Sequence, residues 1–119
     1  MEGPSEFIMP TKRIGVVYVD IKADISLTNE AIKAEGWRFR TRTITMAPGA
    51  VVPVHSHNDR PEMAMMKHGN VFIYEVGCTK PYRMAEGDVY HNESGLSHWA
   101  INESNDYSVM YVTELVKTY

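Results

Sequence analysis

The sequence predicts an all-β sandwich or barrel, on three observations. Eight or so short β-branched and aromatic runs follow Trp37 at close spacing, turn-forming residues separate them, and a single segment has the composition of a helix. With 119 residues, the chain can bury roughly two-thirds of its unfolded surface but has little room for a second core. Its 44% hydrophobic and 23% charged residues fit a folded domain rather than a disordered chain.

Residues 1–13 hold two prolines, a glycine and scattered charges, and read as an arm that packs on the body or a partner. The run RIGVVYVDI (13–21) is a strand candidate. The segment SLTNEAIKAEG (26–36) is the one candidate helix, with Thr28 or Asn29 as its cap and Gly36 as its end. Residues 1–36 are thus expected to be an arm, a strand and a short helix packing on a barrel formed by residues 37–119. In that barrel WRFRTRTITM (37–46) alternates and stops at Pro48-Gly49, and VVPVHSH (51–57) leads into a polar loop. EMAMMK (62–67), NVFIYEV (70–76), YRM (82–84), DVYH (88–91), SHWAI (97–101) and YSVMYVTEL (107–115) complete the series.

Charge and cysteine usage remove several function classes. The formal charge of −3 comes with no basic block, so no nucleic-acid surface is expected. Cys78 is the only cysteine, which excludes an internal disulfide and a Cys-based zinc site. No run is apolar and long enough for a membrane span or a signal peptide, so a cytoplasmic location is expected.

Chemistry concentrates in the histidines. His55 and His57 stand one residue apart in a strand-like run, so both imidazoles face the same side, their backbones less than about 7 Å apart. Glu62 opens the next strand, where a hairpin returns its carboxylate beside the pair, and His98 opens a later one. Three imidazoles and a carboxylate can hold one divalent ion with one or two positions left over. Taken alone, a His-x-His pair is more often two ordinary histidines near a turn.

The wider spacing is informative. Gly49, His55, His57, Glu62 and Gly69, then Gly87, Gly95, His98 and Asn102, stand at intervals that resemble the two signature motifs of the cupin superfamily. The intermotif stretch, 70–86, is as short as in small single-domain microbial cupins. One departure lies in the second motif, where Asn92-Glu93 replaces the usual apolar residue and proline. Either the turn is built differently, or His91 or Glu93 reaches the cavity mouth.

The resemblance implies a double-stranded β-helix, a jelly-roll barrel enclosing one metal ion (Fe, Mn, Ni or Zn), with His55, His57, Glu62 and His98 as ligands. It also implies turn glycines at Gly49, Gly69, Gly87 and Gly95. Small cupins usually pair as homodimers, and Met63, Met65, Trp99 and Ile101, on outward strand faces, fit such a pairing, although they could equally fill the space behind one sheet.

Alternation from the ligands supplies pocket candidates. Ala64 and Met66 share the face of Glu62, Ala100 that of His98, and Val51 and Pro53 that of His55. Arg38, Arg40 and Arg42 share a face with Ile44 and Met46. Three guanidinium groups crowded into one small barrel are costly, so the row reads as solvated. Were it turned inward, Arg40 would be the candidate to grip a substrate carboxylate. Tyr111 could add a phenol, although aromatic strand filler explains it as well. His68, at a turn, reads as a surface histidine.

Two functions follow. The first is an enzyme whose metal acts on a small oxygen-bearing organic substrate, by dioxygenase-type chemistry or by metal-assisted stabilisation of enolate-like charge in a lyase, isomerase or cyclase. Small-cupin lyases acting on sulfonium compounds carry a tyrosine two residues after the glutamate; Ala64 stands there, which counts against that subgroup. The second is a non-catalytic module that binds a small molecule.

Overall fold

In the computed structural model, which describes residues 12–55, 61–78, 80–92 and 97–118, nine strands form two antiparallel sheets. The larger sheet runs β1 (Val17–Ser26), β2 (Trp37–Met46), β9 (Ser108–Lys117), β4 (Glu62–His68) and β7 (Val89–Asn92). The smaller runs β3 (Val51–His55), β8 (His98–Ile101), β5 (Val71–Glu75) and β6 (Tyr82–Met84). No helix occurs among the described residues, and none is therefore long and apolar enough to cross a membrane.

Period-two burial shows which faces meet. On β9 Ser108, Met110, Val112 and Glu114 are buried while the residues between them are partly exposed. On β4 Ala64 and Met66 are buried and Met63 and Met65 exposed, as alternation from Glu62 requires. The inner faces supply a core of Met46, Met66, Met84, Met110, Val71, Ile73 and Val112 with Ala50, Ala64 and Ala100. Each large side chain buried there stabilises the fold by about 1.5–3 kcal/mol relative to exposure.

Three expectations about the backbone need correction. The helix over residues 26–36 is absent: Ser26 ends β1, and residues 27–36 form successive turns closed by Lys33 N–H to Glu30 C=O (2.8 Å) and Leu27 N–H to Trp37 C=O (2.8 Å). Lys33 has φ = 50°, and so short a segment cannot repay helix nucleation when a hairpin can join its flanks instead. The first strand lies later than expected, at Val17–Ser26, with Ile14 making only an isolated bridge to Val51. On β3 the register slips between Val52 and His55. Pro53 has no N–H for the ladder, which favours such a bulge. Val52, rather than Val51, therefore joins Pro53 and His55 on the cavity wall.

Asn102 ties the two sheets' ends together. Wholly buried, it donates Nδ2–H to the carbonyls of Met46 and Asp106 (both 2.9 Å) and accepts from the N–H (3.0 Å) and hydroxyl (2.7 Å) of Ser104. Gly69 fills another tight place: its φ is 75°, and a Cβ there would lie 2.8 Å from the Tyr107 carbonyl oxygen. Gly49 and Gly87 also have positive φ, as expected, while Gly95 lies outside the described residues.

Candidate functional site

Between the sheets lies a cavity of about 290 Å³ whose wall includes His55, Glu62, Ala64, Tyr90 and His98, with Arg42 and Arg13. His55 and His98 are register partners on β3 and β8, and their rings meet edge-on with centroids 4.4 Å apart. His55 Nδ1 lies 2.7 Å from the Pro53 carbonyl oxygen. The tautomer that satisfies this contact carries its proton on Nδ1 and leaves the lone pair on Nε2, the arrangement a metal-ligating imidazole needs. The Tyr90 and His98 rings meet edge-on with centroids 5.4 Å apart, and the Tyr90 phenol donates to Glu75 Oε2 at 2.6 Å.

A buried charge network backs the wall formed by β2, β9 and β4. Glu114, 2% exposed, faces Arg40 across the β2–β9 ladder, and Arg40 Nε donates to its Oε2 at 2.5 Å. Arg42 Nε stands 3.2 Å from the same oxygen, and Arg42 Nη2 lies 3.6 Å from Glu62 Oε2. A carboxylate this deeply buried is stable only because cations face it.

The structure thus brings three of the four expected ligands, His55, Glu62 and His98, to one cavity. His57 lies outside the described residues. Among the described residues no three His, Cys, Asp or Glu side chains stand close enough together to hold a metal. Two adjacent imidazoles, one with its Nδ1 against a backbone carbonyl, and a carboxylate on the same wall nevertheless fit a divalent ion in donor type.

The pocket candidates divide. Ala64 lines the cavity; Met66 and Ala100 are buried in the core but do not line it. Arg40 is turned to Glu114 rather than to the cavity, and Arg42 takes the place assigned to it. Tyr111 lies on the opposite face of β9, under the Lys67 ammonium at 6.0 Å. The arginine row is not solvated as a whole: Arg38 pairs with Asp24 at the surface, but the Arg42 side chain is only 19% exposed. Buried Glu114 removes the charge cost that argued for a solvated row.

Other positions were not foreseen. Val17 and Val19 of β1 line the cavity. Tyr90 lines the cavity where His91 or Glu93 was expected: His91 is exposed on the outer side of β7, and Glu93 lies outside the described residues. Glu114 carried a legible signal, a carboxylate continuing the inward series Met110-Val112. Trp99, expected on an outward face open to a partner, is 2% exposed and stacked on Tyr74 (centroids 5.2 Å apart). His68 is a half-exposed surface residue stacked on Tyr107 and 3.2 Å from Asp106.

A family model for the cupin domain matches residues 42–114, most of the chain, from the middle of β2 into β9. The chain belongs to the cupin family. Its fold is shared by solved cupins of low sequence identity. A predicted oxalate decarboxylase from Thermotoga maritima aligns over 98% of this chain and 99% of its own, with a TM-score of 0.63 and 23% identity. KdgF from a Halomonas species covers 82% of this chain and 77% of its own (TM-score 0.63, 16% identity). A Cupin 2 conserved barrel protein from Salinispora arenicola covers 82% and 74% (TM-score 0.64, 18% identity). No protein of curated function matches in sequence. The cupin neighbours establish the double-stranded β-helix; identities this low say nothing of the reaction.

Proposed function

We propose that this cupin is a mononuclear metal enzyme acting on a small oxygen-bearing organic substrate, with His55, His57, Glu62 and His98 holding the ion. The observation that carries this is the meeting of His55 and His98, from separate motifs, at 4.4 Å on the wall that also bears Glu62. A bound divalent ion would supply Lewis acidity toward a substrate oxygen and, as Fe(II), a site for O2 chemistry. The chain's own residues do the rest. Pro53 orients His55 through its carbonyl, Tyr90 braces the His98 ring, and Ala64, Ile73 and Val112 give the reacting groups an apolar wall.

The cavity is at the small end of ligand sites, which suits a substrate of few atoms. A homodimer fits the exposed Met63 and Met65 and the outer groove beside Phe39 and Leu115. Elemental analysis of purified protein tests the metal: about one ion per chain is expected, with at least a tenfold loss in His98→Ala at an unchanged β-rich circular dichroism spectrum. Wild-type metal content in that variant contradicts the ligand assignment. Oxygen uptake with Fe(II) and a candidate diketone or catechol then tests catalysis; ligand binding without product across Fe, Mn, Ni and Zn would mark a binding module instead.

A further inference from the structure

We propose that Arg42 is the anion anchor of this cavity and that the substrate is a small carboxylic acid, an inference that rests on the metal-enzyme reading above. Two observations carry it: the location of Arg42 and the looseness of its present contacts. Among the described residues it is the partly buried cation that both lines the cavity and borders Glu62. Its contacts to carboxylate oxygens are 3.2 to 3.6 Å, longer than the roughly 2.7–2.9 Å of an optimised charge-assisted pair. Arg40, by contrast, is bound to Glu114 at 2.5 Å. One guanidinium is thus committed to the buried carboxylate, while the other has planar donors in reach of the cavity and can take a better partner.

Charge arithmetic points the same way. Arg40 and Arg42 are balanced by Glu114 and Glu62 while Glu62 remains beside Arg42. When Glu62 serves a divalent ion, Arg40, Arg42 and Glu114 carry a net +1 among the described residues, and the ion with Glu62 carries a further +1. Arg13 adds another cation to the lining. A half-buried cation without a counter-ion is unfavourable, so a carboxylate from the ligand would restore the balance, and a neutral diol or sugar would not. A guanidinium fork can grip both oxygens of that carboxylate and fix the orientation of the rest of the molecule.

Isothermal titration with glycolate and with ethylene glycol, which share a two-carbon hydroxylated frame and differ in charge, tests this on the full chain with its metal content measured in parallel. Wild type should bind glycolate at least tenfold more tightly than ethylene glycol. Arg42→Gln should lose at least tenfold in glycolate affinity, about 1.4 kcal/mol, with metal content and ethylene glycol binding unchanged. Arg42→Lys, which keeps the charge without the planar fork and serves if the Gln variant does not fold, should lose about threefold or more. Metal-loaded Arg42→Gln and Arg42→Lys that both bind glycolate as wild type does overturn the inference and leave the metal reading standing. If wild type takes up no metal, the metal reading fails; the anchor then stands if glycolate binding still depends on Arg42 and falls if it does not.

Discussion

At the scale of single residues, the site is held by groups that would be costly without their neighbours. Glu114 is the clearest case: its side chain is wholly buried, and two arginines face it. Glu114→Ala would leave both guanidinium groups short of their counter-ion, and urea denaturation should report a loss of about 3 kcal/mol. Glu114→Gln, which keeps the shape and some hydrogen bonding, should lose less. Asn102→Ala strips partners from two backbone carbonyls, one of them in the β2–β3 corner, and should cost about 2–3 kcal/mol in the same assay. The partners of Asn102 are Met46, Ser104 and Asp106, so metal content per folded chain should stay at the wild-type level for Asn102→Ala.

At the scale of elements, turns and bulges aim the side chains. The His55 ring reaches the cavity because β3 slips register at Pro53, a feature that strict alternation from the ligands could not foresee. Alternation did place Ala64, Met66 and the exposed Met63 and Met65 correctly, since β4 is regular from Glu62 to Met66. The missing helix has the opposite lesson. Good helix formers between Thr28 and Gly36 express a weak local preference, and the β1–β2 hairpin overrides it through Lys33 at positive φ. Turn glycines offer a graded test. Gly69→Ala meets both strain at φ = 75° and a clash with the Tyr107 carbonyl, whereas Gly49→Ala meets strain alone, with nothing within 4 Å. Gly69→Ala should cost about 2–3 kcal/mol and Gly49→Ala about 1 kcal/mol, read as a difference in denaturation midpoint at equal m-value.

At the scale of the molecule, the architecture was legible because nine fixed motif positions punctuate a series of short strand-like runs whose order a jelly roll dictates. Charged neighbours of the site were harder to read. Whether Arg40 and Arg42 face water or the core depends on Glu114, far away in sequence, and only the β2–β9 register reveals that pairing. The contribution of β1 to the wall was hidden for the same reason: Val17 and Val19 are ordinary strand residues until β1 is docked against β2. A metal bound between the sheets should stabilise the whole barrel. At free metal one hundred times its dissociation constant the gain is about 2.7 kcal/mol, so thermal unfolding should shift upward by roughly 10 °C and return on chelation.

The account depends on one ion lying between the two motif segments. An anomalous difference map from crystals of the metal-loaded protein, recorded at the edge of the element found by analysis, addresses that directly. The account predicts one peak per chain within about 2.0–2.3 Å of a nitrogen from each of His55, His57 and His98 and an oxygen of Glu62. A peak held by other residues, or none in protein equilibrated with Fe, Mn, Ni or Zn, would contradict it.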